Sequence, residues 1–407
     1  MYESAGLHDQ LLATKFFIPS FPHALILRPH LLELLTKKSL ECKLTLVSAP
    51  AGFGKTTLLS NWIHSRPSER TRVAWVSVDE GDNEPALFWQ YVLTALDRAL
   101  PGLCVELVIY LQTQQAPPLR SILQTLLNRL ADQPEQFLLI LDDYHLVTEQ
   151  AIHTSLTYLL EHLPLQLHLL LATRADPPLP LALLRARGHL LELRTDDLRC
   201  QPDEAMAFLE QTATIPLPRD VVEQVASRAE GWLAGLQLVA LSLQGRGAPG
   251  GWPEEVEAVS GSQRYIFDYL IEEVFGRQSA AVQTFLLSTS ILTQLSAPLC
   301  DAVLEQSGSQ QVLEQLERAN LFLVSLDGQR QWYRYHALFA EALRHRLEET
   351  QPARVPGLHS RASLWYARAG RLVEALSHAI TAQEWPWAAD LLERVYPLSG
   401  ATVNMRG

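Results

Sequence analysis

Between residues 43 and about 195 the chain repeats one alternation, a short apolar run followed by an amphipathic stretch. The runs are "LTLVSA" (44–49), "RVAWVSVD" (72–79), "FLLILDD" (137–143), "LHLLLAT" (167–173) and "LLELR" (190–194). Between them lie stretches of helical period such as "ALFWQYVLTALDRAL" and "LRSILQTLLNRLAD". Runs that are apolar almost throughout fit strands covered on both faces. Strands separated by helices read as βα units of a parallel sheet. This part of the chain is expected to be an α/β layer domain.

The first run leads directly into "SAPAGFGKTT" (48–57), and Ala49 through Thr56 meet the spacing [AG]-x-x-x-x-G-K-[ST]. A loop of this kind between strand and helix turns successive backbone N–H groups inward on a phosphate chain. Gly52 and Gly54 permit positive φ and close approach, and a helix starting near Lys55 aims its dipole at the anion. Ala51, Gly52, Phe53, Gly54, Lys55, Thr56 and Thr57 are therefore the expected binding residues for ATP or ADP. Lys55 would reach the β- and γ-phosphates, and the Thr56 hydroxyl would face Mg²⁺. Ala49 stands where a first glycine is usual. A phosphate loop needs a carboxylate from another strand, and "FLLILDD" ends in Asp142 and Asp143. Asp142 is expected to hold Mg²⁺ through water, and Asp143 to polarise the attacking water. Such a pair also serves as a strand-end turn or helix cap. The intervening run, 72–79, carries no such pair, and this separation fits P-loop ATPases with another strand inserted beside the loop strand. The run 167–173 leads into "ATRADPP", which puts Thr173 and Arg174 at the carboxyl edge, where ligands collect in open α/β sheets. Arg174 is the candidate γ-phosphate sensor.

Length allows two to four domains for 407 residues. From "QPDEAMAFLEQ" onward helical period replaces the strand runs to about residue 245, and "GRGAPGGWP" (245–253) reads as a linker. Helices near 263–275, 279–289 and 309–319 precede two extended runs, "LFLVSLD" and "WYRYH", as in a winged helix. From Leu358 the chain reads as antiparallel helices with Gly370 at a turn, the opening of a helical-repeat array. About three repeats are needed for stability, so the native protein is expected to continue. The domains so drawn are an arm and adenine-side segment (1–42), a P-loop domain (43–198), a helical domain (199–250), a winged-helix domain (256–350) and repeat-like helices (351–407).

The net charge of −12 gives no basic field for nucleic acid or anionic lipid. Cys42, Cys104, Cys200 and Cys300 form no CxxC pair and read as reduced thiols. No run approaches the ~18 apolar residues of a membrane span, and the N-terminus has no secretory pattern. A cytoplasmic protein without a membrane partner is expected.

Taken together, "LVSAPAGFGKTTLL", "LLILDDYHLV", "LLLATRADPPLPLALLRARGHLLELR", "EGWLAGLQLVALSL" and "SILTQLSAPLCDAVL…LERANLFLVSLD…WYRYHALF" resemble the MalT-like group of signal-transduction ATPases with numerous domains, typically LuxR-type transcriptional activators. The resemblance runs from about Thr14 to Leu392. It implies a P-loop NTPase sheet followed by a helical domain, a winged helix and the start of a TPR-like repeat region. It implies a switch: an ADP-bound closed monomer opens with inducer and ATP, self-associates, and is reset by slow hydrolysis. By the same resemblance, His336 is similar to a winged-helix histidine that touches the ADP β-phosphate, and Arg28 and Pro29 resemble the segment lining the adenine. Two departures stand out: Ala337 replaces a second histidine, and Gly235-Leu236-Gln237 lacks the proline of a Gly-x-Pro motif. The resemblance places inducer sensing in C-terminal repeats, and DNA binding in a C-terminal domain, that this chain lacks.

No HExxH, GxSxG or metal-spaced Cys/His cluster occurs. Residues 342–347 read as a solvated helix face, and Asp82 or Asn83 as a helix N-cap ahead of Pro85. Trp365, Trp385 and Trp387 are expected to pack the last helices together. Two other functional readings stay open, a constitutive AAA-like remodelling ATPase and a truncated nucleotide-binding remnant without signalling. The former would need an arginine finger paired with a second sensor arginine, and no such pair is identified.

Overall fold

A computed structural model describes residues 11–20, 26, 28–65, 71–113, 117–212, 219–244 and 264–395. The linker reading at 245–253 lies outside them. The chain divides into two compact units, one of residues 1–227 with 231–247, the other of residues 228–230 with 248–407.

The first unit is built on five strands: β1 (Leu44–Ser48), β2 (Thr71–Ser77), β3 (Gln136–Asp142), β4 (Leu167–Thr173) and β5 (Leu190–Leu193). They lie in the order β2-β3-β4-β1-β5 and every pairing is parallel. All residues of β1 and β4 are buried, as are those of β3 after Gln136. The central strands carry the apolar runs because both of their faces are covered. The strand inserted between β1 and β3 is β4; the run at 72–79, which lies between them in sequence, occupies the sheet edge instead. Helices Pro29–Lys38, Lys55–Ser65, Pro85–Ala99, Leu119–Ala131 and Gln150–Glu161 accompany the sheet. Trp89 is fully buried and donates its indole N–H to Ser155 Oγ at 2.9 Å.

At the edge strand, the short helix Ala13–Phe16 inserts Lys15 between Asp82 (2.6 Å) and Asp79 (2.7 Å). The Lys15 ammonium also lies 4.6 Å from the centre of the Tyr91 ring. This pairing corrects the cap expectation. Asp82 is buried with Lys15, and the helix from Pro85 is capped by Glu84, whose carboxylate accepts from the N–H groups of Ala86 and Leu87. Asn83 stitches loops: its amide donates to the Leu146 carbonyl at 2.9 Å and its oxygen accepts from Thr148 N–H at 2.7 Å. After β5 come the helices Pro202–Thr212, Arg219–Ala229 and Leu233–Gln244.

In the second unit a π-helical turn, Leu270–Phe275, leads into helices Ala280–Thr289, Ala297–Leu304 and Ser309–Arg318. The middle one, with Pro298 in its first turn, was not among the expected helices. Strands β6 (Leu323–Ser325) and β7 (Tyr333–Tyr335) then pair antiparallel, and Leu295 adds a bridge to Tyr333. Three helices and a hairpin are the expected winged helix. Helices Ala337–Thr350, Val355–Arg368, Leu372–Thr381 and Trp385–Val395 follow. Trp387 ties two of them through its indole N–H to Ser363 Oγ at 2.9 Å. Trp385, by contrast, is 62% exposed. Among the described residues, no helix is long and apolar enough to cross a membrane.

Candidate functional site

The carboxyl ends of β1, β3 and β4 bring the candidate residues of the first unit to one edge. β1 ends at Ser48, and the loop after it turns into the helix Lys55–Ser65. Gly52 and Gly54 both have φ of +78°, a region closed to most side chains. The loop is anchored to the neighbouring strand by Ala49 N–H donating to the Thr173 carbonyl at 3.3 Å. Phe53 and Ala51 are buried, while Thr57 is half-buried on the first turn of the helix.

Lys55 is 7% exposed, and its ammonium donates to the carbonyls of Ala49 (2.8 Å) and Pro50 (2.9 Å). Burial pushes its pKa down to about 8, helped by the charge of Arg174 and opposed by Asp143 and Asp142. Arg174, after β4, is thus near enough to act on the loop lysine electrostatically. The Thr56 hydroxyl donates to Asp142 Oδ1 at 3.0 Å, across the intervening β4. Burial raises the Asp142 carboxyl to about 6, and Asp143 adds to this; the bond from Thr56 opposes it. Asp143 is different in character. It sits at φ +55°, its side chain is 43% exposed, and it faces His145 at 3.8 Å.

A hydroxyl and a carboxylate in contact are hard oxygen donors, the set Mg²⁺ takes in phosphate sites. The buried, upward-shifted Asp142 is a group that a cation would relieve, so the residues fit the ion.

Arg28 sits at the N-cap position of the helix Pro29–Lys38. It is 3% exposed, its guanidinium nitrogens make no hydrogen bond, and its nearest acid is Glu204 at 4.0 Å. His336 belongs to the second unit, where it precedes the helix Ala337–Thr350 at the N-cap position, and its ring meets Phe322 edge-on and donates from Nε2 to the Ala229 carbonyl at 3.1 Å. Beside it Arg334 grips the Glu230 carboxylate with two bonds of 2.9 Å.

Sequence reasoning missed two groups in the first unit. Asp176, in "ATRADPP", accepts from Ser48 Oγ at 3.3 Å and from Arg194, which links the segment after β4 to the ends of β1 and β5. Trp232 and Ala234 lie against the phosphate loop, the former donating to Ala51 and the latter to Gly52. The only sequence signal for the latter pair was a tryptophan set between glycines in "EGWLAG".

Comparison with known proteins agrees with this architecture. The AAA domain family matches residues 39–177, and the MalT winged helix domain family matches residues 271–355. The HTH-type transcriptional regulator MalT of Serratia proteamaculans is 34% identical over 368 residues, 90% of this chain and 40% of that protein. Its namesake in Vibrio parahaemolyticus is 32% identical over 367 residues, with the same two shares. Among solved structures, a Walker-type ATPase of Pyrococcus abyssi covers 79% of this chain and 96% of its own, with a TM-score of 0.55 at 15% identity, a likeness of fold alone. The chain spans about 40% of the length of the curated relatives it matches. An AAA domain implies nucleotide binding, and over 90% of its length the chain is similar to part of the MalT regulators.

Proposed function

We propose that the chain is the nucleotide switch of a MalT-like, LuxR-type transcriptional regulator, resting with ADP and active with ATP, and reset by slow hydrolysis. The reading rests on the Thr56–Asp142 contact of 3.0 Å, which brings loop and acidic strand end together despite the strand between them. In this reading Lys55 neutralises the β- and γ-phosphates, and Thr56 and Asp142 hold Mg²⁺, which supplies charge neutralisation of the phosphates when bound. Asp143, exposed enough to meet solvent, orients the attacking water, and Arg174 senses the γ-phosphate from the end of β4. The adenine side falls to Arg28. His336 is assigned the ADP-bound state by resemblance.

The domain limits read from the sequence go with this proposal: arm 1–42, nucleotide domain 43–198, helical domain 199–250, winged helix 256–350 and repeat-like helices 351–407. So do self-association in the ATP state, an inducer and DNA bound through parts outside this chain, and a cytoplasmic setting. The test is mass identification of the nucleotide that copurifies with the chain, before and after exchange with ATP. ADP retained at near one per chain, and lost in Lys55→Ala, is the expected result. Equal nucleotide content in wild type and Lys55→Ala refutes the assignment of the loop. Turnover at roughly 1 s⁻¹ or faster would favour a working ATPase over a switch.

A further inference from the structure

The loop glycines answer a demand from behind as well as from the phosphate side. A Cβ on Gly52 would come within 2.5 Å of Trp232 Nε1 and of Ala234 Cβ, and one on Gly54 within 2.6 Å of Leu233 Cδ1. Trp232 is itself fully buried, and a Cβ on Gly235 would strike its ring at 2.5 Å. The segment 231–235 and the phosphate loop are thus fitted to each other at van der Waals contact.

Two hydrogen bonds join them. Trp232 Nε1–H donates to the Ala51 carbonyl at 2.9 Å, and Ala234 N–H, in the first turn of the helix Leu233–Gln244, donates to the Gly52 carbonyl at 2.9 Å. The C=O and N–H of a trans peptide point in opposite directions. Holding the carbonyls of Ala51 and Gly52 toward Trp232 and Ala234 therefore turns the N–H groups of Gly52 and Phe53 the other way. Successive N–H groups turned to one side form an anion-binding concavity.

We infer that Trp232 is a positioning residue for the nucleotide phosphates: through the Ala51 carbonyl it presets the loop amides that receive them. This rests on the nucleotide reading of the loop. It adds that the helix Leu233–Gln244 and the phosphate loop are one linked element, so that phosphate binding steadies the helix and a disturbed helix weakens phosphate binding, by the reciprocity of linked equilibria.

The test uses the full chain and two competitors of a fluorescent ATP analogue, ATP itself and inorganic tripolyphosphate, which has no base. Trp232→Phe keeps most of the ring and removes the N–H. It should weaken ATP and tripolyphosphate by the same factor, about 3- to 10-fold, the scale of one neutral hydrogen bond. Urea unfolding of the variant confirms that binding is measured on folded protein. In the wild type, tripolyphosphate should also shift the Trp232 indole N–H resonance and slow its exchange, a readout that needs no variant. Wild-type affinity for both competitors in Trp232→Phe, or a loss confined to ATP, overturns the inference, as does an indole N–H indifferent to tripolyphosphate. A wild type that binds neither competitor overturns the nucleotide reading itself and is thereby told apart.

Discussion

At the scale of single residues, the buried charges mark where the fold is least forgiving. Lys15 is 7% exposed and Asp82 2%, and they meet at 2.6 Å under the edge strand. A buried ion removed from its partner costs far more than the pair contributes. Lys15→Ala should therefore destabilise the first unit by about 3 kcal/mol in urea unfolding, with Asp82 left uncompensated. The double variant Lys15→Met/Asp82→Leu should recover most of that loss, since an apolar pair replaces the ion pair. A double variant no better than the single would show that the pair itself, not the stranded acid, carries the energy. The same residues mark a limit of sequence reading. Asp82 precedes a proline-led helix and so has the look of a cap, but its partner lies 67 residues earlier in a short arm. Spacing along the chain carries no trace of such a contact. Lys55, Thr56 and Asp142 were legible because the loop chemistry fixes their spacing and demands an acid at a strand end. Trp232 was not, because nothing in a run of helix-forming residues announces that an indole points at another segment's carbonyl.

At the scale of elements, the strands were legible because a sheet covered on both faces requires continuous apolar runs, whereas strand order was not: β4 rather than β2 lies beside the loop strand, and only the pairing register reveals it. The final helices show a different kind of coupling. His359 on Val355–Arg368 and His378 on Leu372–Thr381 face each other with Nδ1 atoms 2.8 Å apart, and Tyr366 stacks on His378 at 5.4 Å. Burial pushes His378 down to about 4, His359 adds to this, and Glu374 on the same helix opposes it. A histidine depressed in the folded state binds its proton more readily once unfolded, so its contribution is intact above pH 6.5 and is lost as pH falls toward 4. Roughly 3 kcal/mol of stability should go between those limits. Asp142, raised to about 6, contributes the opposite slope over part of this range. Comparison of wild type with His378→Gln in thermal melts from pH 7 to pH 4 isolates the histidine. The variant should lose less stability on acidification than the wild type. Parallel curves would remove His378 from the account.

For the molecule as a whole, charge separates two uses of the same fold. A winged helix is often read as a DNA-binding module, and relatives of this chain are described as HTH-type transcriptional regulators. The matched winged helix, residues 271–355, nevertheless holds ten acidic and seven basic side chains, and the whole chain carries a net charge of −12. Non-specific affinity for a duplex comes almost entirely from cations replacing the counterions of phosphates, and acidic neighbours cancel it. Several of the basic groups here are already engaged: Arg334 with Glu230, Arg277 with Glu273, and Arg318 with Glu314. A chain of this charge should give no saturable change in anisotropy with a labelled short duplex up to about 10 μM protein at about 150 mM salt, and lowering the salt should produce only weak, steeply salt-dependent association. Saturation in the nanomolar range, insensitive to which nucleotide is present, would mean that a local basic face outweighs the total. The winged helix would then have to be counted as a reader of DNA.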